Sequence, residues 1–342
     1  MANIVLKDIY KEYNKNQPII KNLNLEIEDG SFTVLLGASG CGKSTILRMV
    51  AGLEKETSGD IHIGNKNMKN IDPGDRNIAM VFQNYALYPT MTVKENIEFG
   101  LKNMKIPKKE REKKILEAVK IVGLEEFLNR KPQNLSGGQR QRVALARAIV
   151  KDPKVFLMDE PLSNLDAKLR TQIRTDLIEL YQKLKTTFLY VTHDQIEAMS
   201  MGTKIILLDK GEIQQIGSPI EVYEKPKNVY TAKFIGSPPM NVVESKNLNN
   251  DYNFIPKEAR FIGFRPEKVS LNKKAEESLE IKGQIITKEL LGDQILYKIN
   301  ANIGIIQVKT FNKEVINNKD CTIFVKKENL HFFDENELRI EL

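Results

Sequence analysis

Two short segments gather the residue types that handle phosphate. GASGCGKST, residues 37–45, sets Gly37, Gly42, Lys43 and Ser44 at the G-x-x-x-x-G-K-[ST] spacing, between the strand-like run FTVLL and the helical run KSTILRMVAG. A turn of this kind points backbone N–H groups at a β-phosphate, adds the partial positive charge of a helix N-terminus and lets Lys43 neutralise the β/γ oxygens. Ser44 suits Mg²⁺ and Thr45 the α-phosphate, while Ala38, Ser39, Gly40 and Cys41 complete the loop around the nucleotide. VFLMDE, residues 155–160, is an apolar run that ends in two acids. Buried strands rarely end in adjacent carboxylates unless something positive or a proton engages them. At the open edge of an α/β sheet, Asp159 is placed to hold Mg²⁺ through water and Glu160 to polarise an attacking water.

These segments need a frame. The first two thirds alternate β-rich runs with helical patterns, with candidate strands at 23–28, 32–36, 77–82, 154–158, 186–191 and 204–209, which predicts an α/β domain. A helical subdomain is expected at about 90–150. Thr92 and Glu95 have capping-box spacing, and Gly123 is placed to end the second helix. Within 107–123, Ile115, Leu116, Val119 and Val122 recur at helical spacing and predict an amphipathic helix. Beyond about residue 235, alternating segments such as EIKGQIIT and QILYKIN predict a small β-barrel-like domain over 236–342.

LSGGQRQRVALARAI, residues 135–149, narrows the field. It resembles the signature of the ABC ATPases, with Leu135, Ser136, Gly137, Gly138 and Gln139 in order and a helix after them. Ser136 and the glycines make a second anion-binding helix N-terminus in one chain. The resemblance implies that this site closes over the γ-phosphate held by a second copy, so that a homodimer sandwiches two ATP head to tail. It further implies that Gln83 senses Mg²⁺ and the attacking water, that Asp166 supports the partner's site, that His193 contacts the γ-phosphate and that Tyr13 stacks on adenine. Ala38 stands where many relatives have proline.

FIGSPPMN (234–241), GFRPEKV (263–269) and LLGDQILYKI (290–299) resemble the OB-like TOBE extension of importer ATPases. With VFQNYALYPTMTVKENI and THDQIEAM they lean toward the carbohydrate and glycerol-phosphate branch over the polyamine and ferric-ion ones. That implies two transmembrane permease subunits, indirectly an extracytoplasmic solute-binding protein, and a peripheral place on the cytoplasmic face. The loop from Gln83 to Pro89 is expected to expose Tyr85, Leu87 and Tyr88 for such a partner.

The bulk properties agree. Hydrophobic residues make up 41%, ordinary for a packed protein, and two cysteines, Cys41 and Cys321, fit a reducing compartment. No apolar run reaches the roughly 20 residues that cross a bilayer, and Asp8 and Glu12 interrupt any signal-peptide core. The net charge of +7 arises from 52 basic against 45 acidic residues, interleaved along helices, so no nucleic acid is expected. DNA-repair ATPases of this class carry a long coiled coil before the signature, and the interval from Lys43 to Pro132 is too short for one. Two-cassette translation factors are excluded by the single P-loop. A regulatory or nucleic-acid role of the C-terminal barrel remains the alternative from a different class.

Overall fold

In the computed structural model, residues 2–248, 252–271, 277–311 and 318–341 are described. The parallel strands that carry the phosphate motifs read as continuous apolar runs because both of their faces are covered. Strands β3 (Phe32–Gly37), β7 (Val155–Asp159) and β8 (Thr187–Thr192) are buried at every residue. With β6 (Ile78–Val81), β9 (Lys204–Asp209) and β10 (Glu212–Gly217) they form one sheet, ordered β10-β9-β3-β8-β7-β6. All neighbours are parallel except the antiparallel edge strand β10.

The pleat sorts side chains to the two faces. Leu35, Leu157, Leu189, Val191, Ile206 and Leu208 join Ile46, Leu47 and Val50 of α1 (Lys43–Ala51) in one core. The same core takes in a second, antiparallel sheet, β2-β1-β4-β5, from β1 (Ile4–Asn14), β2 (Gln17–Ile27), β4 (Ser58–Ile63) and β5 (Lys66–Asn67). On the other face Phe188 stacks between Phe156 and Phe32 at 4.8 and 5.3 Å, and Tyr181 of α5 (Ala167–Leu184) meets Phe32 edge-on. Helix α6 (Gln195–Met201) links β8 to β9.

Between β6 and β7 run α2 (Val93–Asn103), α3 (Lys108–Val122) and α4 (Gly137–Ile149). Thr92 caps α2 in a reciprocal box with Glu95, and Gly123 ends α3 in the left-handed conformation at φ 64°. The three helices share a core of Val93, Ile97, Leu101, Ile115, Ala118, Val119 and Val143. Leu116 departs from its expected place. It is exposed, because the buried face of α3 runs through Ile115, Ala118 and Val119.

The chain divides into two compact units, Met1–Pro219 and Ile220–Leu342, ahead of the change of character expected at residue 235. Residues 220–235 go with the second unit because α8 (Val229–Phe234), which follows α7 (Pro219–Glu224), packs Val229 and Ala232 on Met240 and Phe333. That unit holds two antiparallel sheets. One is β11-β12-β18-β19, from β11 (Asn241–Glu244), β12 (Phe261–Phe264), β18 (Leu330–Phe333) and β19 (Arg339–Ile340). The other is β13-β17-β14-β15-β16, from β13 (Val269–Leu271), β14 (Ser278–Leu290), β15 (Ile295–Ala301), β16 (Gly304–Thr310) and β17 (Asp320–Lys326). Ile262, Phe264, Ile281, Tyr297, Ile323 and Phe332 unite the sheets in one core. Arg265 is 2% exposed and lies 4.1 Å from the Tyr223 ring. It donates to the carbonyls of Ala232, Ile235 and Tyr223.

Candidate active site

The phosphate-handling segments lie far apart in sequence and meet through strand register. Leu36 pairs with Thr192, Asp159 with Val191, and Val81 with Met158, so β3, β8, β7 and β6 end side by side. The loop 37–45, His193, the Asp159–Glu160 pair and Gln83 each follow one of these ends. In a parallel sheet that edge is where ligands bind.

The loop turns at Gly40 and Gly42, with φ of 79° and 105°. Gly42 caps α1, and a Cβ there would meet Ile20 Cδ1 at 2.5 Å; one at Gly40 would meet open space. Ala38, Ser39 and Gly40 are exposed at the crest, whereas Gly37, Cys41, Gly42 and Lys43 are buried. Lys43 Nζ donates to the carbonyls of Gly37 and Ala38 at 2.9 and 2.7 Å and lies 3.7 Å from Cys41 Sγ. Its partners are thus neutral, and the ammonium keeps a charge for an anion to neutralise. Burial pushes the Cys41 thiol above its usual range, which keeps it protonated and unreactive.

Ser44 Oγ donates to Asp159 Oδ1 at 2.7 Å. A hydroxyl and a carboxylate side by side are the hard oxygen donors that Mg²⁺ takes beside phosphate oxygens, so these residues fit that ion. Arg48 Nη2 lies 3.6 Å from Asp159 Oδ2. Arg48 was absent from the sequence-based set, although one helical turn after Ser44 it had to face the same way.

Glu160 has left-handed backbone, φ 44°, and its N–H donates to Val191 O at 3.1 Å. His193 Nδ1 lies 3.2 Å from Glu160 Oε2. Behind His193, the buried Glu197 accepts from Tyr190 Oη at 2.8 Å and Thr192 Oγ1 at 2.7 Å, and burial raises its carboxyl above the ordinary value. That network anchors the end of β8 and so fixes where the imidazole stands.

Gln83 and the segment after Glu160 are tied together. Gln83 Nε2 donates to Ser163 Oγ at 3.1 Å, Ser163 Oγ donates to Glu160 O at 2.9 Å, and Asn164 Nδ2 donates to Gln83 O at 3.0 Å. Ser163 and Asn164 were also missed, since only the fold shows them facing Gln83. Asp166 is the N-cap of α5, accepting from Leu169 N at 2.9 Å.

The loop after Gln83 differs from expectation. Tyr85 is buried, because left-handed backbone at Tyr85 and Ala86 turns the ring inward while Arg147 holds both carbonyls at 2.8 and 2.6 Å. Leu87 packs against the helical core, and Tyr88 stays exposed beside Phe99 at 4.7 Å.

Ser136 and Gln139 form a reciprocal capping box on α4. Gly138 at that terminus lies against Leu169, which a Cβ would meet at 2.7 Å. Among the described residues, no hydrogen bond or ion pair joins residues 136–139 to the loop 37–45. Tyr13 is 54% exposed, with Lys11 Nζ 4.8 Å from its ring centroid and its hydroxyl 3.5 Å from Thr45 Oγ1.

Comparison with known proteins meets this geometry. The family described as ABC transporter matches residues 20–163. The oligosaccharides import ATP-binding protein MsmX of Bacillus subtilis is 48% identical, over 99% of this chain and 100% of its own length. The chain belongs to the ABC transporter ATP-binding proteins. The sn-glycerol-3-phosphate import ATP-binding protein UgpC of Brucella abortus is 58% identical to this ABC ATPase over 72% of the chain and 70% of UgpC. Among solved structures, cbiO1 of Clostridium perfringens, part of the ABC transporter complex cbiONQ, superposes with a TM-score of 0.60 at 30% identity. It covers 64% of this chain and 89% of cbiO1. The ATP-binding cassette MJ0796, in a dimeric post-hydrolysis state with ADP and Pi, superposes at 0.57 with 37% identity, covering 63% of this chain and 98% of that one. The ABC ATPase is a nucleotide-binding enzyme whose hydrolysis is coupled to transport.

Proposed function

We propose that this ABC ATPase drives an importer for a carbohydrate or a glycerol-phosphate, acting as a homodimer beneath two permease subunits at the cytoplasmic face of the membrane. The observation that carries the enzymatic part is the convergence of Lys43, Ser44–Asp159, Glu160–His193 and Gln83 at four adjacent strand ends. The names of MsmX and UgpC support the solute class.

In this reading the loop N–H groups and Lys43 bind and orient the triphosphate of ATP, and Tyr13 offers its exposed ring to adenine. Ser44 and Asp159 would hold Mg²⁺, which supplies charge neutralisation to the phosphates. Glu160 accepts the proton of the attacking water as general base. His193 holds that carboxylate in place, and Gln83 orients the water through the chain that joins it to Ser163 and Glu160. Ser136, Gly137, Gly138 and Gln139 present an N-terminal dipole that their own chain leaves unused, so a second copy's ATP is the anion it closes on, with Asp166 supporting that neighbouring site. The C-terminal unit serves as a TOBE-type extension.

The test is assembly. Purified Glu160→Gln protein is expected to dimerise on adding ATP, and Ser136→Arg to abolish this while the monomer still binds ATP. An ATP-saturated Glu160→Gln protein that stays monomeric by light scattering would sink the sandwich.

A further inference from the structure

Lys11 lies two residues before Tyr13 on β1, and its ammonium stands over the Tyr13 ring, 4.8 Å from the centroid. The same ammonium donates to Lys55 O at 2.7 Å and lies 3.1 Å from Glu54 Oε1. Only 12% of the Lys11 side chain and 15% of the Glu54 side chain are exposed, so this ion pair is held far more firmly than a solvated surface pair. Glu54 belongs to the turn that ends α1. Gly52 caps that helix in the left-handed conformation, and the N–H groups of Leu53 and Glu54 both donate to Arg48 O, at 2.9 and 3.3 Å. Two more bonds stitch β1 to the residues after this turn: Thr57 N–H donates to Tyr10 O at 2.9 Å and Glu12 N–H to Thr57 Oγ1 at 3.2 Å. The helix that starts from the phosphate loop therefore ends on the residues that hold Lys11. Tyr13 itself is 54% exposed. A ring so placed loses side-chain freedom when a ligand stacks on it, unless something already holds it.

We propose that Lys11 is a positioning residue for the base of the nucleotide: it holds the Tyr13 ring from one face by cation–π attraction, so that adenine stacks on the other face of a ring already in place. The inference rests on the reading of Tyr13 as the adenine platform and names what fixes that platform. Lys11 acts through the ring and touches neither base nor phosphate. Its charge is matched by Glu54, so it adds little net field at the phosphate loop, and its contribution is confined to ligands that carry a base. The tie to Glu54 and Lys55 is what makes the clamp stiff: an ammonium on a free four-carbon stem would have to be ordered along with the ring. Removing the clamp while leaving the ring should cost roughly threefold in affinity.

The experiment is a calorimetric titration of the full chain with two probes, ADP, which carries the base, and inorganic pyrophosphate, which does not. Lys11→Met should weaken ADP binding roughly threefold and leave pyrophosphate binding as in the wild type. Lys11→Arg, which keeps a cation over the ring, should restore ADP binding. Placed on a Tyr13→Ala background, Lys11→Met should have no further effect, since there is no ring left to hold. Should Lys11→Met fail to fold, Glu54→Leu, which removes the anchor of Lys11, is read by the same criteria. Equal losses for ADP and pyrophosphate, or the same loss with and without the Tyr13 ring, would mean that Lys11 acts on the phosphate loop or the fold and overturn the inference. Unchanged ADP binding in Lys11→Met beside weakened binding in Tyr13→Ala overturns the clamp and leaves the platform standing. Unchanged ADP binding in Tyr13→Ala overturns both.

Discussion

Charge is handled in opposite ways in the two units. In the N-terminal unit the charged and polar groups of the site gather where parallel strands end, and they hold one another in pairs a ligand can reopen: Ser44 with Asp159, Glu160 with His193. In the C-terminal unit Arg265 sits inside, fixed by three backbone carbonyls and a tyrosine ring, and His331 Nδ1 lies 3.1 Å from Arg339 Nη1. Carbonyl partners inside a packed core, as at Arg265, cannot be exchanged without breaking the fold, unlike those of Lys43 at the site's edge. The first arrangement is suited to chemistry and the second to shape, although each places charge next to a sheet.

Mutations can break this contrast. Glu160→Gln should lower ATP turnover by roughly 10²–10³-fold, the scale of removing one key transition-state group, while thermal unfolding shifts by less than about 0.5 kcal/mol. Lys43→Ala should instead abolish most nucleotide binding. Arg265→Met should do the reverse, destabilising the C-terminal unit by about 3 kcal/mol through three orphaned carbonyls, with turnover per folded molecule preserved. Denaturant unfolding and steady-state turnover on the same samples decide it; an Arg265→Met protein of normal stability and poor turnover would remove the distinction.

His331 sharpens the contrast with a pH axis. Burial, then Arg339 and Arg265, lowers its pKa to about 4 from an ordinary 6.5. Between those values the unfolded chain binds the proton and the folded one does not, so stability is full above pH 6.5 and is lost as pH falls toward 4. The loss is at most roughly 3 kcal/mol. His331→Gln should flatten that slope in melting curves taken from pH 7 to 4. The smallest effect is expected at Tyr13. Tyr13→Ala should weaken ATP binding by about 1 kcal/mol and Tyr13→Phe hardly at all, since stacking needs the ring. Equal losses in a nucleotide titration would assign the hydroxyl's contact with Thr45 the larger part.

The legibility of the sequence follows the same division. FTVLL, KVFLM and TTFLYV could be read as strands because burial on both faces leaves no polar interruption, and the motifs at their ends follow local spacing rules. The N-terminal antiparallel sheet was largely missed. Register shifts along β1 break its alternation, and Lys7, Asp8, Lys11 and Glu12 mask the pattern. Tyr85 was misread because its burial depends on left-handed backbone and on Arg147 from a distant helix. Ser163 could be seen only once the strands had brought Gln83 and the segment after Glu160 together, whereas Arg48 lay within reach of helical spacing from Ser44. Nothing local in GFRPEKV tells that Arg265 turns inward to hold Tyr223, Ala232 and Ile235.

Strands β6 and β7 are immediate parallel neighbours, yet residues 82–154, with the whole helical subdomain, lie between them. This bears on how the chain folds. Closing so long a loop costs entropy that only the finished β6–β7 ladder repays, whereas α2, α3 and α4 make contacts local to one another and assemble first. The intervening helices then act as a spacer that is already compact and shortens the gap the two strands must cross. Gln83, just after β6, and Glu160, just after β7, come side by side only when that ladder forms, and are thus among the last parts of the N-terminal unit to come together in refolding.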